Sequence, residues 1–253
     1  MSGIRAPRPI LGVSLKLYLS VADTREWLAG LALLASAERW SDRLEMFVCP
    51  EAVMVESSVT ILGDCGVRVG AQDAFWESRG PYTGEVSPAS LAELGCGYVE
   101  IGHAERRRLF GESDDDVAAK VRAATEFRLT PVVCVGEPER GGPQDAVAFC
   151  AAQVRAALSG VPRGGAPLIV AYEPIWAIGA DRAAGPEHIR IVLTGLRESV
   201  DAPDCVRWIY GGSAGRDLYG SVAGALDGLF VGRAAHDLTN LARIVGEMAG
   251  VQG

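Results

Sequence analysis

The chain has little positive charge and few of the residues that bind metals. Its 24 lysines and arginines are outnumbered by 32 aspartates and glutamates, which gives a net charge of −8. A nucleic-acid-binding protein typically carries a basic surface instead, so we expect no nucleic-acid partner. There are only three histidines. Because metal sites are built from several His, Cys or carboxylate ligands, we expect no metal and no other cofactor.

Long apolar runs and paired cysteines are also missing. No stretch approaches the 18 or so apolar residues of a membrane span, and no apolar segment with a cleavage site follows the first nine residues. The six cysteines are irregularly spaced and form no CxxC. Most lie in or beside apolar runs, so we expect buried, reduced thiols. These features predict a cytoplasmic protein without a membrane partner.

What the chain does contain is a regular alternation of short apolar runs and helix-patterned segments. The predicted strands are Ile10–Leu15, Leu44–Cys49, Val67–Ala71, Tyr98–Ile101, Pro131–Val135, Leu168–Tyr172, Val206–Tyr210 and Gly228–Val231. The predicted helices are Thr24–Arg39, Glu51–Ser57, Pro88–Leu94, Asp115–Phe127, Gln144–Leu158, Pro186–Val200, Arg216–Val222 and Leu238–Glu247.

Eight such units without a linker between them predict one α/β domain over residues 1–253, folded as a (β/α)8 TIM barrel. Runs of Val, Ile and Leu are typical of parallel strands that are buried on both faces. A doubly wound sheet is the alternative. It is disfavoured because no GxGxxG follows the first strand.

In such a barrel the active site lies at the carboxyl ends of the strands. Glu173 ends the apolar strand Leu168–Tyr172 and is followed at once by Pro174, which cannot donate to a sheet. The next residues form a loop with apolar side chains that would exclude water. A carboxylate in this setting suits proton abstraction. The alternative is a strand-end glutamate that simply meets solvent.

The other strand ends supply groups of complementary chemistry. Lys16 follows the first strand, where it would neutralise an anion, or else pair with Glu105. His103 lies at a helix start, which favours a neutral ring that donates an N–H. An isolated strand-end histidine is more often structural. We expect the remaining two, His188 and His236, to be solvated.

Glycine-rich turns follow the last two strands, where barrels of this kind usually bind phosphate. Gly211, Gly212 and Gly232 have no Cβ, so their backbone can approach an anion closely. Ser213 and Arg233 lie beside them. Together the strand ends predict proton transfer next to a carbonyl in a small phosphorylated sugar, under a loop, residues 174–184, that closes over it.

Several motifs resemble those of the triosephosphate isomerase family across nearly the whole chain. They are Val69–Gln72, Tyr82–Ser87, Gly102–Arg107, Val133–Glu137, Ala171–Gly179 and Tyr210–Ser213. The resemblance implies that Lys16, His103 and Glu173 are catalytic and that Glu105 pairs with the lysine. It implies substrate or phosphate contacts at Ser14, Lys16, Gly179, Ser213, Gly232 and Arg233. It also implies that Thr83 reaches into the site of a partner subunit, and therefore a homodimer. This family is itself the well-known example of a glutamate base that works with a neutral histidine under a closing loop.

The family reaction interconverts dihydroxyacetone phosphate and glyceraldehyde 3-phosphate, but the chain departs from the family pattern beside the substrate. Ser14 replaces the usual asparagine, and Arg233 replaces a small residue. Similar changes occur in a branch that resembles four-carbon ketose phosphate isomerases of erythritol breakdown. The alternative substrate is therefore L-erythrulose 1-phosphate, converted to D-erythrulose 4-phosphate.

Smaller departures lie at Asp73, at Ala104 and at the loop tip Gly179-Ala180-Asp181-Arg182. Two other classes of function stay open. A sugar-phosphate sensor without activity should have lost at least one of the three catalytic residues, and all three are present. A metal-dependent barrel enzyme would lose its activity in a strong chelator.

Overall fold

Eight short parallel strands line the middle of the molecule. In the computed structural model, which describes residues 8–161, 165–180 and 183–250, they are β1 (Ile10–Ser14), β2 (Glu45–Cys49), β3 (Val67–Ala71), β4 (Tyr98–Ile101), β5 (Thr130–Val135), β6 (Leu168–Tyr172), β7 (Val206–Tyr210) and β8 (Gly228–Val231). Each strand pairs with the next in sequence, and β8 pairs with β1, so the sheet closes into a barrel. The predicted TIM barrel is confirmed.

Side chains alternate between the barrel interior and the layer of helices, because strand side chains alternate between the two faces of a sheet. The interior is filled by Ile10, Phe47, Cys49, Tyr98, Val132, Cys134, Ile169, Ala171, Ile209 and Phe230. Counting in twos along β1, β4 and β6 places Ser14, Glu100 and Glu173 on the inward face, at the carboxyl end. The same end carries the predicted site.

The helices surround this barrel. They are α1 (Val21–Ala37), α2 (Val55–Leu62), α3 (Pro88–Glu93), α4 (Ala104–Phe110), α5 (Asp114–Glu126), α6 (Pro143–Ser159), α7 (Pro186–Ser199), α8 (Tyr219–Val222) and α9 (Leu238–Gly250). Short 3-10 helices lie at Trp40–Asp42, Ala52–Met54, Ile175–Ala177 and Arg233–Ala235. In the described ranges, none of the helices is long and apolar enough to cross a membrane.

Local signals in the sequence account for several helix starts. Ser87 caps α3, with proline in the first turn. Ser113 and Asp116 form a capping box at α5. Several predicted helix bounds were wrong. Helix α1 begins at Val21 rather than Thr24, and α9 continues to Gly250 rather than Glu247. The segment predicted as Glu51–Ser57 continues as α2 to Leu62, and the one predicted from Arg216 begins at Tyr219. Helix α4 was predicted only as a helix start at His103, without a range.

The cysteines follow the expectation only in part. All six are free thiols, and Cys49, Cys96, Cys134 and Cys150 are buried. Cys65 is half-buried and Cys205 is exposed, so the prediction of burial was wrong for Cys205. It lies just before β7, outside the layer of helices that covers the barrel strands.

Candidate active site

The carboxyl ends of the strands open into a cavity of about 1380 Å³. It brings together most of the residues that the sequence singled out. The lining includes Ser14, Lys16, His103, Glu105, Glu173, Gly179, Ser213, Gly232 and Arg233. Thr83 lies elsewhere, exposed in the loop between β3 and α3. The tip residues Asp181 and Arg182 lie outside the described residues.

Glu173 follows β6 and turns into the barrel mouth. Its side chain is only 7% exposed, and its Oε2 lies 3.5 Å from His103 Nε2. That oxygen accepts no hydrogen bond from any described residue. Room for the carboxylate is left by Gly211, where a Cβ would lie 2.7 Å from Glu173 Cγ. A buried carboxylate oxygen without a donor is well placed to accept a proton from a bound molecule.

His103 caps helix α4 with its own ring. Its Nδ1 accepts a hydrogen bond from the Glu105 backbone N–H at 3.1 Å. In the neutral ring the hydrogen therefore belongs on Nε2, by assignment from this bond. Nε2 is the atom that faces Glu173. In that tautomer the Nε2–H is a hydrogen-bond donor toward the cavity.

Lys16 pairs with Glu105, which also lies 3.5 Å from His103 Nδ1, and its backbone has an unusual conformation. Its φ is +50°, which is rare for a residue with a side chain. Its Nζ is 2.7 Å from Glu105 Oε1. Burial lowers the pKa of Lys16, but the Glu105 hydrogen bond and neighbouring carboxylates outweigh it and raise the pKa overall. The predicted ion pair exists, and Lys16 still lines the cavity as a fixed cation.

The glycine turns lie at the far end of the same cavity. Ser213 has a φ of +53°, and Gly179 has a φ of +73°. Arg233 Nη2 donates to the Gly179 carbonyl at 3.2 Å. Tyr210 Oη accepts from the Ala184 N–H at 2.9 Å. These bonds join the loop after β6 to the end of β7 and to the turn after β8, and they place a guanidinium at the end of the cavity that the glycine turns form.

Glu100 is a site residue that the sequence analysis missed. It is the third residue of β4 and is 3% exposed, yet it lines the cavity. Its Oε2 accepts the Ser14 hydroxyl at 2.8 Å. Burial raises the pKa of Glu100 to about 7; the charge of Glu173 adds to this, while His103 and the Ser14 bond oppose it. A glutamate in an otherwise apolar strand was the available signal.

His188 was expected in solvent, and that prediction was wrong. Its side chain is 16% exposed, and its Nε2 lies 3.0 Å from Tyr172 Oη. Tyr172 and Trp176 both donate to Glu137 Oε1, at 3.1 Å and 2.7 Å. The ring therefore belongs to a polar cluster that anchors the start of the loop after β6. The sequence of α7 alone does not show whether this histidine faces solvent or packs against the neighbouring residues.

His236 was likewise expected in solvent and is half-buried instead. Its ring meets Tyr18 edge-on, with 5.5 Å between the centroids. Burial lowers its pKa, and Arg233 lowers it further.

Among the residues that the structure describes, no group of three or more His, Cys, Asp or Glu side chains could hold a metal ion.

Comparison with known proteins identifies the relatives of this site and fold. The family model described as triosephosphate isomerase matches residues 9–248. The chain is 43% identical to the L-erythrulose-1-phosphate isomerase of Pectobacterium atrosepticum, over 90% of each chain. It is 37% identical to the triosephosphate isomerase of Roseiflexus sp. strain RS-1, over 94% of this chain and 96% of the relative. It is 38% identical to that of Chloroflexus aurantiacus, over 94% and 98%.

Proposed function

This chain belongs to the triosephosphate isomerase family and is an isomerase of the aldose–ketose class. We propose that it moves a carbonyl between neighbouring carbons of a short sugar phosphate without a cofactor. The observation that carries the proposal is the pairing of Glu173 and His103 across the cavity. A Glu173 oxygen that has no donor among the residues described in the structure and the His103 Nε2 atom lie 3.5 Å apart. Lys16 lines the same cavity.

In the proposed reaction Glu173 removes a carbon-bound hydrogen of the substrate as a proton. The electron pair moves toward the neighbouring carbonyl oxygen, which accepts a hydrogen bond from His103 Nε2–H. Lys16 stabilises the negative charge of the enediolate. Glu173 then returns its proton to the adjacent carbon, while His103 passes a proton between the two oxygens. The carbonyl has moved by one carbon, with no net gain or loss of atoms.

The phosphate of the substrate belongs, in this proposal, at the glycine turns. Backbone N–H groups near Gly179, Ser213 and Gly232 would face the anion, and the Arg233 guanidinium would add a charged donor with a forked head. The hydrogen bonds from Arg233 to the Gly179 carbonyl and from the Ala184 N–H to Tyr210 Oη support a loop that closes the cavity. Closure would keep water from an enediolate that is prone to lose phosphate.

For the substrate, we favour a four-carbon ketose phosphate, with L-erythrulose 1-phosphate giving D-erythrulose 4-phosphate. Both are ketoses, and the reaction is the same carbonyl shift with a CH2OH group in place of the aldehyde hydrogen of the triose. The support is the short Ser14 side chain in the cavity, together with the 43% identity to a relative of that name. The second candidate is the triose pair, dihydroxyacetone phosphate and glyceraldehyde 3-phosphate. It is supported by the relatives named triosephosphate isomerase at 37% and 38% identity.

We also propose that the chain forms a homodimer. Apolar side chains stand exposed near the mouth of the barrel: Leu17 is 75% exposed, Phe110 is 70% exposed and Val53 is 70% exposed. The loop that carries Thr83 is exposed as well. A second copy that covers these groups would explain their exposure. Sedimentation of the purified protein at micromolar concentration should give twice the chain mass; a single chain mass would contradict the dimer.

The test of the function is kcat/KM for glyceraldehyde 3-phosphate and L-erythrulose 1-phosphate on one purified sample without added metal. The Glu173→Gln variant should lose about 10³-fold or more in kcat, because the base is removed. The exposed Glu126→Gln is the matched control and should keep wild-type rates. Full activity of Glu173→Gln, or no turnover of either substrate by the wild type, would overturn the proposal.

Two further arms separate the alternatives. A strong chelator should leave the rate unchanged; loss of activity would favour a metal-dependent enzyme instead. The double variant Ser14→Asn and Arg233→Gly should shift the ratio of kcat/KM toward the triose. An unchanged ratio would remove these two residues from substrate choice.

A further inference from the structure

Glu100 has no part in the proton transfer proposed above. Its side chain projects from β4 into the top of the barrel interior, and it is one of the most completely buried carboxyls of the described residues, at 3% exposure. Burying a carboxyl is costly unless partners compensate for the lost water. In the described part of the chain its hydrogen-bonding partner is Ser14 alone, at 2.8 Å. Packing of the strand therefore does not compensate for the free-energy cost of burying this carboxyl.

The environment of Glu100 is otherwise apolar on the side away from the cavity. Cys49 and Cys134 fill the neighbouring interior positions, and the negative charge of Glu100 contributes to raising the pKa of both thiols, after burial. Toward the mouth it meets the substrate cavity, which it lines together with Ser14. A buried polar group that lines a cavity is placed to bind what enters the cavity.

We propose that Ser14 and Glu100 form a subsite that binds the terminal hydroxyl of a four-carbon ketose phosphate. The inference rests on the proposed function and identifies the residues that choose between its two candidate substrates. The hydroxyl would donate to a Glu100 carboxylate oxygen, while the Ser14 hydroxyl, itself held by Glu100, orients the acceptor.

The position of the pair fits the only difference between the two substrates. A four-carbon ketose phosphate carries one more CH2OH on the reacting carbon that lies away from the phosphate. With the phosphate at the turns after β7 and β8, and the reacting carbons between Glu173 and His103, the extra group points away from those turns. The Ser14–Glu100 hydrogen bond joins β1 to β4 across the barrel interior, and both side chains line the cavity from its inward face, beside the reacting carbons.

A site built to hydrogen-bond a hydroxyl discriminates against a molecule that lacks it more strongly than an apolar pocket could. The extra group of the four-carbon substrate would meet an acceptor that the triose leaves unused. Ser14 also occupies little space, which leaves room for the added CH2OH. The pair thus provides both the space and the polar partner that the larger substrate requires.

The test compares kcat/KM for L-erythrulose 1-phosphate with kcat/KM for glyceraldehyde 3-phosphate in Glu100→Leu and Glu100→Gln. We expect the four-carbon to three-carbon ratio to fall by about 10- to 100-fold in Glu100→Leu, the range for a lost hydrogen bond to a charged group. Glu100→Gln, which keeps one acceptor and the shape, should fall less. If Glu100→Leu does not fold, the glutamine variant carries the test, with a fall of at least about threefold required.

The matched control is Glu45→Gln, the same change of a carboxyl at the opposite end of the barrel, where Glu45 accepts from Tyr98. It should leave the ratio unchanged. A ratio that stays constant in both Glu100 variants, or that falls equally in Glu45→Gln, would overturn the subsite.

The failures of the subsite and of the proposed substrate are distinguishable. If the wild type turns over only the triose, the four-carbon substrate and the subsite are both wrong. If the wild type prefers the four-carbon substrate and the Glu100 variants lose both activities in equal proportion, the substrate stands and the subsite is wrong.

Discussion

Replacing Gly211 by alanine should disable the base without unfolding the protein. The backbone of Gly211 is not in the left-handed region that disfavours alanine, so the chain itself tolerates the change. The added Cβ, however, would lie 2.7 Å from Glu173 Cγ and 2.8 Å from its Cδ, and closer still to Oε1. Carbon atoms in contact prefer about 3.5–4.0 Å. The Glu173 carboxylate must therefore move by roughly 1 Å.

A displacement of about 1 Å at a reacting group costs on the order of 10²-fold in rate, or about 2.7 kcal/mol of transition-state stabilisation. We expect kcat to fall by this factor on the preferred substrate. Thermal unfolding should change little, because a Gly→Ala substitution restricts the unfolded chain and the clash falls on a movable side chain. The inhibition constant of inorganic phosphate should also change little if the phosphate end is undisturbed.

The matched control is Gly215→Ala, because Gly215 lines the same cavity. Its Cβ would lie 3.8 Å from Ala234 Cβ, an ordinary contact. This variant should keep kcat within about threefold of the wild type. A Gly211→Ala enzyme with wild-type kcat would refute the placement of Glu173, and an equal loss in both variants would show that the turn, not the base, was disturbed.

Three further outcomes are expected. Arg233→Ala should raise the inhibition constant of inorganic phosphate roughly tenfold, since a charged donor is lost from that end; an unchanged constant would exclude Arg233 from anion binding. Gly136→Ala should lower the free energy of unfolding by more than about 3 kcal/mol, because its Cβ would lie 2.6 Å from the Glu173 carbonyl carbon; a melting temperature like that of the wild type would contradict the close approach. Burial raises the pKa of Asp73 from 3.8 to about 6 against the opposing charge of Lys120. Its contribution to stability is therefore present below about pH 4 and lost as the pH rises through about 6, so the urea midpoint of the wild type relative to Asp73→Asn should fall over that range. A flat difference would contradict the shift.

The strands could be predicted because buried parallel strands are apolar along their whole length. Val206–Tyr210 and Gly228–Val231 are found as predicted, since glycine, proline or polar residues delimit such runs. Helix α4 could not be predicted in the same way. None of its residues is buried, so it has no apolar stripe to reveal it. His103 caps its first turn, and Gly111, with a φ of +72°, ends it.

The sequence by itself determined the barrel and the chemistry available at the ends of its strands. Lys16, His103 and Glu173 are recognisable because each lies within two residues of the carboxyl end of a strand. Tertiary structure alone decided how they face one another, since the Glu173 to His103 distance joins two strands that do not pair with each other.

The partners of Glu100 and His188 were decided in the same way. Glu100 looks like a lone polar residue in an apolar strand until closure of the barrel brings Ser14 against it, 86 positions away in the chain. His188 looks exposed until α7 packs it against Tyr172. The local sequence pattern determines which residues lie at the end of a strand or on a given face of a helix. Contacts between distant strands depend on how the sheet closes, and no local sequence pattern contains that information.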